Sequence, residues 1–352
     1  MQEIIVDDLL INKDQSVKTA MRQLDKVASK VLFVVDNDEV LLGSVSDGDI
    51  RRFILQNYSI EEPVGGMCNR SCLSIGPVED LHKAYEQMQA RDISFAPRVN
   101  ANNRVVDIIS LPSSHKKVAH RDGDLDLPVV IMAGGKGTRM EPFTNVLPKP
   151  LIPIGNGTIM EIIIDGFQEY GISQFYFTLN YRGEMIRAYF DGIDRDYEVN
   201  YVWEKEFNGT AASLKLIKDI KRDFIVSNCD IIVKTNYSQV YEFHKESGAM
   251  LTVISSIQHE QFPYGVIDFK EGGEVTGLRE KPEFSFPINT GVYILSSECF
   301  EYIPEGEFFH MTHLIERLIK EGKKVVTFPV NEKDFIDTGQ WDEYKTALDR
   351  LL

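Results

Sequence analysis

Cysteine is scarce. Four residues in 352, Cys68, Cys72, Cys229 and Cys299, are too few and too scattered for a disulfide framework. Cys68-x3-Cys72 has no second ligand pair at zinc-site spacing, which argues against a structural zinc module. Long apolar runs are missing too. None approaches the roughly eighteen residues of a membrane span. The opening MQEIIVDDLL has neither the basic n-region nor the apolar h-region of a secretory signal. The expected setting is the cytoplasm, with no membrane partner. Basic residues are in deficit as well: 38 Lys and Arg against 54 Asp and Glu leave a net charge of −16. That argues against a nucleic-acid partner, since displacing counterions from a phosphate backbone needs a basic face. A small anionic ligand stays possible, because a few converging Lys and Arg and a divalent cation suffice to hold one.

What is present is the composition of a soluble globular protein, 43% hydrophobic and 26% charged, in a chain long enough for two or three domains. Between Met1 and Pro112 one pattern occurs twice. SVKTAMRQLDKV places Val17, Ala20, Met21, Leu24 and Val27 on one helical stripe, followed by the strand KVLFVVD, the turn NDE and the strand VLLGSVS. VEDLHKAYEQMQARD, ISFAPRV, NANNR and VVDIISL repeat that order after roughly sixty residues, an internal duplication. DGDIRRFILQ reads as a helix opening on acidic residues. Pro112 to Pro128 is polar, charged and aperiodic, so a linker is expected over 113–127.

From residue 128 to 352 strands and helices alternate. PVVIMAG, QFYFTLN, VNYVWE and DFIVSNCDIIV read as strands; IMEIIIDGFQEYG, GEMIRAYFDG and GTAASLKLIKDI read as helices. This predicts an α/β fold with a doubly wound, mostly parallel, Rossmann-like sheet, whose ligands bind at the carboxyl ends of the strands. AGGKGTR follows the first of those strands. It fails the dinucleotide fingerprint, because Met140 stands where the third glycine belongs, and it fails the P-loop spacing, because Lys136 precedes the last glycine. Gly134, Gly135 and Gly137 can still close backbone N–H groups around phosphate. Arg139 offers a guanidinium fork and Lys149, ten residues on, a point charge.

These motifs resemble two families. The duplicated block, through GSVSDGDIRR, resembles a tandem pair of CBS domains, α+β modules that often hold an adenine nucleotide. The resemblance implies that Ser46 and Asp49 contact its ribose. The second copy offers Ser110 and Ser113 but no carboxylate. The stretch AGGKGTR followed by PKP resembles the sugar-phosphate nucleotidyltransferases, over essentially all of residues 128–352. That resemblance implies nucleotide contacts from Met132, Ala133, Gly134, Gly135, Gly137, Thr138 and Gly209, with Arg139 and Lys149 acting on the triphosphate. It implies that Asp230 and Asp337, 107 positions apart, share a Mg²⁺. It also implies that Gly265, Glu280, Lys281, Asn289 and Thr290 bind the sugar phosphate, Lys281 acting in catalysis.

Glu204 falls on the family's base-reading position, five residues before Gly209. Uracil- and thymine-using members commonly carry Gln there. A carboxylate only accepts, which suits the two adjacent donors of guanine. GTP is therefore expected. The pairing of CBS and transferase blocks is similar to that of the glucosamine-1-phosphate guanylyltransferases of bacterial nonulosonic (legionaminic) acid synthesis, implying GDP-glucosamine and pyrophosphate as products. A mannose-1-phosphate guanylyltransferase, a glucose-1-phosphate uridylyl- or thymidylyltransferase and a silent nucleotide sensor are the other readings. A homo-oligomer is expected from both blocks. His310-x2-His313 with Glu316 imitates a metal cluster, but Thr312 as an N-cap and the stripe Leu314, Ile315, Leu318 favour an ordinary helix.

Overall fold

The computed structural model describes residues 6–27, 30–56, 58–91, 93–111 and 125–351. Ser113 and most of the expected 113–127 linker lie outside the described residues. The chain divides into two compact units, Met1–His120 and Arg121–Leu352.

The first unit begins with β1 (Leu10–Asn12), α1 (Val17–Lys26), β2 (Val31–Val35), β3 (Leu41–Ser46) and α2 (Asp47–Leu55). β1 pairs parallel and β3 antiparallel with β2. The stripe of α1 buries Val17, Ala20, Met21 and Leu24. The order helix, strand, strand then recurs as α3 (Leu81–Ala90), β4 (Phe95–Val99) and β5 (Val105–Ser110). The two copies join where Leu41 N–H donates to the Asn103 carbonyl and Val105 N–H to that of Glu39.

The second unit runs β6 (Val129–Ala133), the short pair β7 (Pro153–Ile154) and β8 (Gly157–Thr158), α4 (Ile159–Gln168), β9 (Gln174–Leu179), α5 (Gly183–Gly192) and β10 (Glu198–Trp203). It continues with β11 (Phe224–Asn228), β12 (Ile231–Val233), α6 (Tyr237–Ser247), β13 (Leu251–Gln261), β14 (Val266–Phe269), β15 (Val275–Arg279) and β16 (Glu283–Leu295). The last elements are α7 (Met311–Lys320), β17 (Val325–Val330), β18 (Phe335–Asp337) and α8 (Trp341–Leu351). Seven strands form one sheet in the order β10-β9-β6-β11-β16-β13-β17, parallel except where β16 runs against both neighbours. All five residues of β6 are buried, as a central parallel strand covered on both faces requires. Among the described residues no helix is long and apolar enough to cross a membrane.

Three local expectations change. GTAASLKLIKDI forms only a 3₁₀ turn over Ala212–Leu216, because the Ala211 and Ala212 N–H groups donate to the Phe309 carbonyl and not into an α-helix. DFIVSNCDIIV is not one strand. β11 ends at Asn228, and Cys229 and Asp230 turn the chain into β12, which pairs antiparallel with β18. Thr312 does not cap α7; His310 does, in a reciprocal arrangement with His313.

Candidate active site

The carboxyl ends of β6, β9, β10 and β11 surround a cavity of about 260 Å³. The glycine loop forms one wall, through Gly134, Gly135, Gly137, Thr138 and Arg139. At Gly137, φ is +65°, and a Cβ there would sit 2.9 Å from Thr144 Cγ2 and 3.1 Å from Lys149 Cβ, so only glycine fits the turn. At Gly134 an added Cβ would lie 2.5 Å from Glu204 Oε1, so the lack of a side chain lets the loop lie against that carboxyl.

Glu204 leaves the end of β10 held on both sides: its N–H donates to the Leu179 carbonyl, and its own carbonyl accepts from Asn180 Nδ2 at 2.9 Å. The side chain is only 8% exposed. Burial pushes its pKa up to about 7, against the opposing pull of the Thr178 hydroxyl. The same cavity takes in Met132, Gly209 and Lys149. Ala133 does not reach it and packs into the core beneath the loop.

A second cavity, of about 620 Å³, opens on the other side of Asp230. The two share Arg139, Asn228 and Asp230 as common wall. Asp337 lies here because β18 pairs with β12 in the register Ile231↔Asp337. The Thr338 N–H and hydroxyl both donate to the Asp230 carbonyl, at 2.9 and 2.8 Å, fastening the two strand ends together. The convergence shows at Gly339. A Cβ built there would be 2.6 Å from Asp337 Oδ1, 3.2 Å from Lys149 Nζ and 3.3 Å from Asp230 Oδ2. Lys149, 6% exposed, makes an ion pair with Asp230, so its charge stands at the carboxylates and not out in the loop. Burial raises the Asp337 pKa, opposed by the Gly339 N–H and reinforced by the Asp230 charge.

Two carboxylates with room beside them fit a Mg²⁺, which usually takes one or two protein carboxylates and fills its remaining positions with phosphate oxygens and water. Among the described residues no group of three or more His, Cys, Asp or Glu is placed to hold a metal, so a site formed by protein alone is not offered.

The sugar-phosphate residues split. Asn289 and Thr290 line the larger cavity. The Thr290 hydroxyl, however, donates to the Ile254 carbonyl at 2.6 Å and is spent on holding β16 to β13. Gly265 and Glu280 do meet, a Cβ on Gly265 falling 2.9 Å from Glu280 Oε2. Yet they and Lys281 stand exposed at the root of the β14–β15 hairpin, and neither cavity is lined by them. Arg350 supplies the second guanidinium on the larger cavity's wall.

Several wall residues carried no sequence signal: Thr178 and Ser213 in the smaller cavity, Gln258, Tyr293, Glu332 and Glu343 in the larger. Single polar residues at strand ends or on helices look like any surface position. His310 is structural. Its Nδ1 accepts the Thr210 N–H at 3.2 Å and so fixes the loop that carries Gly209. In the first unit Ser46 and Asp49 do come together, but as a capping box on α2: Ser46 Oγ donates to Asp49 Oδ2 at 2.7 Å, and Arg52 takes the other oxygen. The geometry supports helix capping for both.

Residues 128–352 match the family model described as nucleotidyl transferase, and residues 2–56 match the CBS domain. Among individual proteins, the chain is 34% identical over 221 residues to mannose-1-phosphate guanyltransferase 2 of Candida glabrata, covering 60% of this chain and 61% of that protein. It is 28% identical over 248 residues to a UTP–glucose-1-phosphate uridylyltransferase of Synechocystis sp., covering 64% and 63%. It thus spans about three fifths of the length of the curated relatives it matches. Among solved structures, HddC from Yersinia pseudotuberculosis aligns over its whole length and 64% of this chain with a TM-score of 0.50 at 24% identity, a likeness of fold.

Proposed function

The chain belongs to the nucleotidyl transferase family, and from that premise we propose that it moves a guanylyl group from GTP to a hexosamine 1-phosphate, glucosamine 1-phosphate in the first instance. The products are GDP-glucosamine and pyrophosphate, a supply step for nonulosonic (legionaminic) acid sugars. One observation carries the reading: two cavities meet at Arg139, Asn228 and Asp230, the junction where a donor triphosphate and an acceptor phosphate would touch.

A phosphate oxygen of the sugar 1-phosphate attacks the α-phosphorus of GTP in line. The bond from that phosphorus to the bridging oxygen breaks, and pyrophosphate leaves with its electron pair. Both partners are anions, so the barrier is repulsion and developing charge, which positioning and fixed cations lower without a covalent intermediate. Arg139 faces both cavities and can grip the transferring phosphate. Lys149 holds the Asp230 carboxylate in place and adds positive charge below it. Asp230 and Asp337 would hold Mg²⁺, which when bound neutralises phosphate charge.

Glu204 supports guanine. Ionised, it accepts from N1–H and the exocyclic amine; protonated, it resembles Gln, one donor and one acceptor, and suits uracil. With its pKa near 7, affinity for a non-hydrolysable GTP analogue should rise with pH up to about 7 and then level off. The GTP/UTP affinity ratio should rise across the same range. Calorimetric titration at pH 6, 7 and 8 reads this, and a flat ratio would remove Glu204 as the base reader.

The acceptor side favours an amino sugar. Glu332, Asp342 and Glu343 share the larger cavity with Asp230 and Asp337, against only Arg139 and Arg350. Glu343 Oε2 is buried and has no hydrogen-bond partner among the described residues, and burial raises that carboxyl's pKa. A cationic amine answers both. Glucosamine 1-phosphate should therefore exceed mannose and glucose 1-phosphates in kcat/KM by at least about tenfold, the worth of one charge-assisted hydrogen bond. Glu343→Gln should erode that margin. Mannose 1-phosphate turning over faster would transfer the reading to a mannose-1-phosphate guanylyltransferase, the activity that the name of the Candida glabrata relative carries.

A further inference from the structure

The loop between Glu204 and Gly209 is fastened at both ends. Glu204 is tied to the end of β9 through the Leu179 carbonyl and Asn180 Nδ2. At the other end the Asn208 carbonyl accepts the Phe309 N–H at 2.7 Å. Gly209 follows with φ at +97°, where an added Cβ would lie 2.7 Å from the Phe309 carbonyl oxygen, so the chain there lies directly on that segment. Lys205, Glu206 and Phe207 bridge the two anchors, all exposed and in no helix or strand.

Of these three, only Phe207 lines the smaller cavity. It is 42% exposed and is the one aromatic ring on that wall among the described residues. A single exposed apolar side chain needs no explanation in itself. The wall around this one, however, is otherwise glycine, hydroxyl, amide and charged groups, with only Met132 and Cys229 adding apolar surface. Such groups suit phosphates, ribose hydroxyls and the polar edge of a base. None of them offers a flat face to a heterocycle. Phe207 does, three residues from the carboxyl that reads the edge and in the same loop.

We infer that Phe207 is the base-stacking residue of the donor site, its ring lying on the face of the base whose edge Glu204 reads; the inference rests on the proposed seating of the nucleoside in the smaller cavity. Stacking on an aromatic side chain accepts any base, because each has a π-face, and it grows with the area of the rings that overlap. A purine covers more of the ring than a pyrimidine. The two side chains thus divide the choice of triphosphate. Phe207 favours purines over pyrimidines, and Glu204 selects guanine by its donors.

Calorimetric titration of the full chain at pH 8, with Mg²⁺ and without sugar phosphate, tests this. Phe207→Ala should weaken GTP and inosine triphosphate each by about tenfold or more, the worth of one base stack. UTP should lose less, and inorganic tripolyphosphate, which has no base, should bind unchanged. The ratio of GTP to inosine triphosphate affinity should hold, since it reports the Glu204 contact with the exocyclic amine. Phe207→Tyr should restore most of the loss. The side chain is exposed, so thermal melting should not move; should the alanine variant misfold, Phe207→Leu, of similar volume and without a π-face, takes its place with the same outcomes. GTP binding as tight as in the wild type overturns the inference and leaves the guanylyl reading standing. A loss shared by tripolyphosphate, or a changed GTP to inosine triphosphate ratio, also overturns it, because the loop would then have shifted as a whole. A wild type that binds none of the nucleotides refutes the seating itself.

Discussion

Arg139→Ala is expected to lower kcat by about 10²–10³-fold with little change in the thermal melting of the protein, the scale seen when one donor aimed at developing charge is lost. The side chain is exposed at the mouth of the glycine loop and lines both cavities, so removing it opens no core void and leaves no buried charge. Its proposed work is done in the transition state, where charge builds on the phosphate in transfer, so kcat and kcat/KM should fall together. Arg139→Lys should recover part of the loss, because the charge returns without the two-pronged fork. Near-normal turnover in the alanine variant would refute the role. Asp230→Asn is a less clean test of the same junction, since it strands the Lys149 ammonium, 6% exposed, without its counter-charge. A loss of stability there would accompany the loss of rate.

Glu204→Gln should have two opposite effects. Selectivity for GTP over UTP should drop by at least about tenfold, because the replacement offers guanine one acceptor where it needs two and offers uracil a matched pair. Stability at pH 8 should rise. The folded carboxyl has a pKa near 7 against 4.5 when free, so its contribution to stability is full below about 4.5 and is lost as pH rises through about 7. Above that range the buried carboxylate costs on the order of 3 kcal/mol, which the neutral amide avoids. Urea melts of both proteins at pH 5 and pH 8 read the effect: the variant's advantage should appear only at the higher pH. A uniform gain would point to packing, and an unchanged GTP/UTP ratio would show that another group reads the base.

How far the site was legible depends on how much of it is local. AGGKGTR could be read because three glycines and a guanidinium within a few residues of a buried strand have few other uses, and the structure puts the three glycines, Thr138 and Arg139 on one cavity wall, leaving out Ala133 and Lys136. Ser46 and Asp49 were legible as a pair, but helix capping explains them as well as a ligand does. Asp230 and Asp337 could not be paired from sequence, because the β12–β18 register, not any spacing, brings them together. Asn228, Thr178, Glu332 and Glu343 gave no signal for the same reason: each is a single polar residue whose partner is supplied by a distant strand or helix. The expected helix after Gly209 failed where tertiary bonds to Phe309 outcompeted local propensity. Lys281 was placed by resemblance. The hairpin that carries it stands away from both cavities.

Pyrophosphate release by the purified full chain, with Mg²⁺, glucosamine 1-phosphate and each of GTP, UTP, dTTP and ATP in turn, bears most directly on the proposed guanylyl transfer. GTP should support turnover at least about tenfold faster than the other three, in step with the carboxylate at Glu204. Release favouring UTP or dTTP, or none from any triphosphate across several sugar 1-phosphates, would contradict it.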